Sequence, residues 1–221
     1  MAYAIDKEKI MEGLTWGFGV AADQKVLRES IWYVPLKERK RDLEKARALV
    51  REAGYPGGLK VKGQTEKRFE TEMQLVQSQV KEAGIDLELE FFDFAKHQIA
   101  MQEGGYTVTT VGGLTAIDPD LTYYKYFYTE NGPKKTHNYP RHSNPRLDQL
   151  LDAARTEFDT QKRYRLYKEA VEIIDEELPR ISLGFSRYMF AFRNYVKGFR
   201  TAPNGSYLYG TGGLGMTWLD R

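Results

Sequence analysis

The apolar side chains Ile5, Ile10 and Leu14 fall on one helical face, and Asp6 ahead of the run is a good N-cap, so a helix through about residue 14 is expected. The same spacing recurs at Leu43, Ala46, Leu49 and Val50, between the cap Asp42 and the stop Gly54, and at Phe69, Met73, Val76 and Val80, in a helix over 67–83 ended by Gly84. Beyond that glycine the period changes to two. Ile85, Leu87, Leu89 and Phe91 alternate with Asp86, Glu88 and Glu90, the pattern of a strand with one solvated, acidic face. Strands are also expected over 59–62 and 106–111, with a helix over 94–103 between the later pair. Such close alternation of helix and strand predicts an α/β layer with parallel strand pairs.

The second half begins with the aromatic run Leu121, Tyr123, Tyr124, Tyr126, Phe127 and Tyr128, followed by a polar loop over 129–142. Ser143 or Asn144 then caps a helix to 156, with Pro145 in its first turn and Leu147, Leu150, Leu151 and Ala154 inward. Thr160 caps another to about 177, with Tyr164, Tyr167, Ala170, Val171 and Ile174 on its buried face, and Pro179 enforces the stop. Two strands over 180–185 and 189–193 are expected next. From Gly198 the chain is rich in glycine and tyrosine and has no period. Residues 1–200 therefore read as one α/β lobe and 201–221 as a tail that belongs to a hinge or to a neighbouring lobe. Trp16, Phe18, Trp32 and Tyr33 lie in an irregular stretch, where loop packing competes with ligand contact.

Composition narrows the classes. With 41% hydrophobic and 29% charged residues the chain folds, and its 33 basic and 31 acidic side chains nearly cancel to +2, so no field for nucleic acid exists. Cysteine is absent, which excludes disulfides, thiolate nucleophiles and cysteine-based zinc sites and suits an exported protein. No apolar run approaches the roughly 18 residues of a membrane helix. The first residues lack the basic and apolar regions of a signal peptide, and the chain begins as though cut from something larger.

Candidate chemistry concentrates in Val111-Gly-Gly-Leu-Thr-Ala-Ile-Asp-Pro-Asp120. Paired glycines leaving a strand let a ligand approach the backbone, and Asp-Pro-Asp is a rigid turn whose second acid can cap the next helix. This is the form of a cleft wall. As a catalytic pair Asp118 and Asp120 are poor, because side chains two apart across a proline turn diverge. His97, His137 and His142 lack metal-ligand spacing, Gly212-Gly213-Leu214-Gly215 has no following helix to cradle phosphate, and neither a Gly-x-Ser-x-Gly nor a P-loop pattern occurs. No catalytic residue, metal or cofactor is therefore expected.

One family shares these landmarks in order. Ala4-Ile5-Asp6-Lys7-Glu8-Lys9-Ile10, Lys45-Ala46, Ala53-Gly54-Tyr55-Pro56, Gly84-Ile85-Asp86-Leu87-Glu88, Asp118-Pro119-Asp120 and Ser143-Asn144-Pro145 come first. Leu147-Asp148 with Leu150-Leu151, Arg163, Leu166-Tyr167, Ala170, Pro179-Arg180-Ile181 and Val196-Lys197-Gly198-Phe199 follow. Their order over residues 2 to about 200 resembles the family 5 extracellular solute-binding proteins of peptide and nickel ABC importers.

That resemblance implies an α/β fold, a mixed sheet flanked by helices, forming the later lobe of a two-lobed periplasmic-binding-protein architecture. It implies non-catalytic capture of a small or peptide-like solute in an interlobe cleft, with a membrane permease and the missing N-terminal lobe as partners. A monomer is expected, periplasmic or extracellular and membrane-anchored in its full-length parent. Peptide-binding members carry a Gly-Trp and an amine-binding Asp ahead of Asp-Pro; laid on this chain, those positions fall on Gly112 and Thr115. Thr115 cannot neutralise an ammonium, so free-amino peptides fit poorly unless Asp118 or the other lobe supplies a carboxylate. Loss of the tryptophan at Gly112 is expected to enlarge the wall and suit a bulkier neutral or polyhydroxylated solute. Gly112, Gly113, Leu114, Thr115, Asp118, Tyr123, Tyr124 and Trp16 are the candidate ligand residues, with Tyr124 and Phe127 as core in the competing reading. A stand-alone α/β domain, hydrolase or protein-binding module, remains the alternative.

Overall fold

A computed structural model of the chain describes residues 1–113, 116–132, 137–187, 189–201 and 213–220. Leu114 and Thr115 thus lie outside the described residues, as does most of the expected tail. Helix α1 (Lys7–Thr15) starts where Asp6 accepts a hydrogen bond from the Lys9 amide at 3.0 Å. Strand β1 (Val20–Ala21) follows, and α2 (Leu43–Glu52) is capped by Asp42 in the same manner. Strand β2 (Leu59–Glu66) is twice the expected length. A short 3-10 turn over Lys67–Phe69 precedes α3 (Glu70–Lys81), so Phe69 stands outside the helix rather than on its inner stripe. Strand β3 (Ile85–Phe92), α4 (Phe94–Glu103) and β4 (Val108–Thr109) complete the α/β half.

The sheet is parallel, with β2 central between β3 and β4. Leu59 through Glu66 pair in register with Ile85 through Phe92, whereas β4 pairs only at Gly63–Val108 and Gln64–Thr109. The expected strand over 106–111 is thereby shortened, because the chain leaves the sheet after Thr109. Asp86, Glu88 and Glu90 are exposed, as the alternation requires, and Lys60 lies within 4 Å of the first two. Ile5, Ile10, Ala46, Val61, Met73, Val76, Val80, Ile85 and Leu87 make the core of this half. Leu49, expected on the inner stripe of α2, is 45% exposed: α2 is anchored through Ala46 and its neighbours.

The helical half comprises α5 (Asp120–Phe127), α6 (Pro145–Thr156) and α7 (Thr160–Glu177). Asn144, not Ser143, caps α6, and Asp159 rather than Thr160 caps α7, accepting from the Lys162 amide at 2.8 Å. Tyr123, Phe127, Leu147, Leu150, Leu151, Ala154, Tyr167, Ala170 and Val171 form a second core, joined by Val26 and Val34 from the irregular stretch. Strand β5 (Gly184–Phe185) returns to pair antiparallel with β1, and β6 (Val196–Lys197) pairs with β7 (Trp218–Leu219). Parallel and antiparallel pairings are both present, but in separate sheets. Residues 189–193, expected as a strand, have no ladder partner among the described residues and remain irregular.

Candidate functional site

A concavity of about 1580 Å³ opens beside the carboxyl ends of β2 and β4. Open parallel sheets favour ligands there, because strand ends deliver backbone groups and loops to one edge. One wall is the segment 106–113, joined to the end of β2 by a hydrogen bond between the Thr65 and Thr110 hydroxyls. Behind it His97 is buried and shares a hydrogen bond with Thr109 Oγ1 at 2.9 Å; desolvation lowers its pKa. Arg68 and Phe69 enter from the turn after β2, and the ends of α1 and α3, the loop after β1 with Lys25, Tyr139 and residues 177–187 also contribute.

Gly112 and Gly113 stand in this wall. The enlargement expected at Gly112 is not found. A Cβ built there would lie 2.5 Å from Phe69 Cζ, so the Phe69 ring already occupies the space a side chain would need. The wall keeps an aromatic face, delivered from another element.

Asp118 is absent from the lining. Its carboxylate accepts both Arg163 Nη1 at 2.9 Å and Nη2 at 2.8 Å, and the adjacent Asp120 amide donates to it at 2.8 Å. The Arg163 hydrogen bonds hold the Asp118 pKa below its ordinary value. Asp118 therefore fixes the start of α5 to α7 and has no charge to spare for a ligand ammonium. Asp120 does not cap α5, whose N-cap is Pro119 with no side-chain cap; Asp118 closes the turn by accepting from the Asp120 amide, and the Asp120 carboxylate pairs with Arg155 at 3.1 Å.

Tyr123 is 2% exposed, and its hydroxyl donates to Gln24 Oε1 at 3.0 Å, so it belongs to the helical core rather than the cleft. Tyr124 stacks on Tyr128 at 4.3 Å between ring centroids and carries Arg155 over its face at 3.9 Å, also away from the lining. Trp16 ends α1 in a left-handed conformation, 89% exposed, while its neighbours Leu14 and Thr15 reach the cavity. The histidines occupy separate environments: His137 is edge-on to Tyr126 and Tyr139, and His142 contacts Glu177.

Lining residues not expected at the site include Lys25 and Tyr139, Phe69, which was expected on a helix stripe, and Arg180, a sequence landmark only. Phe190 lines the concavity, and Phe192, Trp218 and Leu219 are further exposed apolar groups of the chain's last third. Phe192 and Phe190 pack on Phe199 at 4.5 and 5.3 Å.

Comparison with known proteins places this geometry. Residues 1–135 match the family model described as Bacterial extracellular solute-binding proteins, family 5 Middle. The chain is 26% identical over 216 residues to the glutathione-binding protein GsiB of Salmonella paratyphi A, covering 94% of itself and 42% of that relative. Among solved structures it is similar to HbpA2 from Haemophilus parasuis, at 26% identity and a TM-score of 0.83, covering 99% of this chain and 43% of that one. The ABC transporter-associated periplasmic binding protein DppA from Helicobacter pylori, in complex with the peptide STSA, superposes with a TM-score of 0.85 at 23% identity, over 100% of this chain and 43% of that one. The chain thus spans less than half the length of these relatives.

Proposed function

Because the chain belongs to the bacterial extracellular solute-binding proteins of family 5, we propose that it supplies one lobe of an ABC importer's solute receptor. The observation that carries this reading is the concavity at the carboxyl ends of β2 and β4, with the exposed Phe190 in its lining and Phe192 stacked beside that ring. A second lobe closing over that surface would bury those rings and complete the site. Capture then draws its free energy from tighter binding of the solute in the closed state, and the closed form presents a surface to the membrane permease. Both acids that could be drawn as a catalytic pair, Asp118 and Asp120, are engaged by arginines, which favours binding without chemistry. The receptor works as a monomer in the periplasm or at the outer face of the membrane, where its parent is anchored.

Gly112, Gly113, Leu114 and Thr115 remain the proposed contacts of this wall, with Phe69 added. Asp118 is neutralised by Arg163 and absent from the lining, so a free ammonium would depend on another acid of the concavity, such as Glu72, or on the other lobe. The solute is therefore peptide-like with its amine blocked or matched elsewhere, or another small molecule. Calorimetric titration of this lobe joined to its partner lobe tests the reading, using glutathione, the peptide STSA and their N-acetyl forms. Binding of an amine-blocked solute in preference to its free-amino form is expected. Turnover of any of them would replace the receptor reading with an enzyme. In the same protein Thr115→Asp should improve affinity for free-amino peptides, and no gain would count against the placement of Thr115 in the wall.

A further inference from the structure

Lys25, in the loop after β1, and Arg180, just past α7, meet on one aromatic ring. Lys25 Nζ lies 4.4 Å and Arg180 Cζ 4.7 Å from the centroid of Tyr126. Both residues line the concavity. Lys25 Nζ and Arg180 Nη1 are buried, and neither makes a hydrogen bond. Neither residue has an ion pair among the described residues, whereas Arg39, Arg41 and Arg163 engage Asp175, Glu82 and Asp118. Desolvation and the nearby positive charges pull the Lys25 pKa down to about 8, and burial lowers that of Arg180.

Two unpaired cations held together in a desolvated wall oppose folding, since each loses hydration without a counter-charge and repels the other. Tyr126 offsets part of that cost through its ring face, which attracts cations but leaves their N–H donors free. An anionic oxygen group would satisfy both: its oxygens accept two hydrogen bonds donated by the guanidinium fork and a third donated by the ammonium. His137, edge-on to the same ring at 5.4 Å, has a buried Nδ1 without a partner beside them.

We propose that Lys25 and Arg180, resting on Tyr126, form a subsite for a carboxylate or phosphate group of the captured solute. The subsite rests on the receptor reading above and narrows its substrate class to anionic solutes. Charge complementarity would also speed capture, because a focused positive patch in a concave wall steers anions toward it.

The test titrates the 221-residue chain with acetate and with inorganic phosphate at pH 7 and constant ionic strength, following the thermal unfolding midpoint. A saturable rise is expected, and the anion giving it at lower concentration identifies the group preferred. Lys25→Met and Arg180→Met should each weaken that response at least about tenfold while raising the midpoint without anion, a combination that a purely structural pair would not give. No saturable response to either anion, or the same response in wild type and variants, overturns the subsite. Solute titration of the joined two-lobe protein separates this outcome from failure of the receptor reading. Glutathione bound equally by wild type and Arg180→Met would remove the subsite and keep the receptor. Anion binding that depends on Lys25 and Arg180, in a protein that binds none of the solutes, would keep the subsite and remove the receptor.

Discussion

Arg163 and Arg180 are both half-buried guanidinium groups lying against aromatic rings, one in the helical half and the other in the cleft wall. Arg163 holds Asp118 in a two-pronged ion pair, donates to the Ala154 carbonyl at 2.9 Å, and sits 5.0 Å from Trp32 and 5.3 Å from Tyr167. Arg180 has the face of Tyr126 and no carboxylate among the described residues. The apolar groups divide in the same way: Tyr123, Phe127 and Tyr167 are interior, whereas Phe190 and Phe192 stand in solvent at the rim. The helical half thus pairs Arg163 and covers Tyr123, Phe127 and Tyr167 from its own sequence, while the wall leaves Lys25, Arg180 and the rim rings to be completed by something outside it.

Removing the centre of the self-sufficient region is the most severe way to break that contrast. Tyr167 is fully buried between Trp32 and Tyr123, so Tyr167→Ala should lower unfolding stability by about 3–5 kcal/mol. Denaturant unfolding measures this, and a loss under about 1 kcal/mol would show that the helical half does not depend on its core.

Lys25→Met probes the other region and should act in the opposite direction. The folded-state pKa of Lys25 is depressed from 10.5 to about 8, so between these values the unfolded chain binds more protons and stability rises with pH. The penalty is fully present below pH 8 and on the order of 3 kcal/mol. The variant should recover up to that amount at pH 7 and flatten the stability profile between pH 8 and 10.5. An unchanged profile would mean that Lys25 is solvated.

Gly112→Ala should cost about 1–3 kcal/mol through contact with the Phe69 ring, part of it regained when Phe69→Ala is added. Additive effects in that double-mutant cycle would separate the two residues. Asp118→Asn should have the smallest effect, about 1 kcal/mol, because the carboxylate is 46% exposed and solvent screens it. Asp118 is depressed by Arg163, so its contribution is complete above the ordinary carboxylate pKa and lost as pH falls through its lowered value. Acid titration of the variant should lack that component.

Local signals in the sequence carried most of the fold. Asp6, Asp42 and Gly84 act within a few residues of where they stand, and the alternation from Ile85 to Phe91 depends only on one face being solvated. Residues 189–193 have no ladder partner among the described residues, and a partner is something periodicity cannot supply. The site was less legible for a related reason. Gly112 read as open space, since nothing local shows that Phe69, displaced from α3 by a 3-10 turn, swings into it. Lys25 and Arg180 lie in separate irregular segments and acquire meaning only when both reach Tyr126. Asp118 sits in a recognisable turn, but nothing local to it shows that Arg163, 45 residues on, is its partner.

The one-sided pairing of β3 bears on how the protein behaves at high concentration. Its far edge has no neighbour among the described residues, which leaves a run of backbone donors and acceptors that a second copy could extend. Asp86, Glu88 and Glu90, answered in part by Lys60 and Lys96, set charged groups at every other position on one face of that strand, and charged side chains on an edge strand disfavour its pairing with an identical one. The same alternation that marks the strand in the sequence thereby guards it against self-association and aggregation.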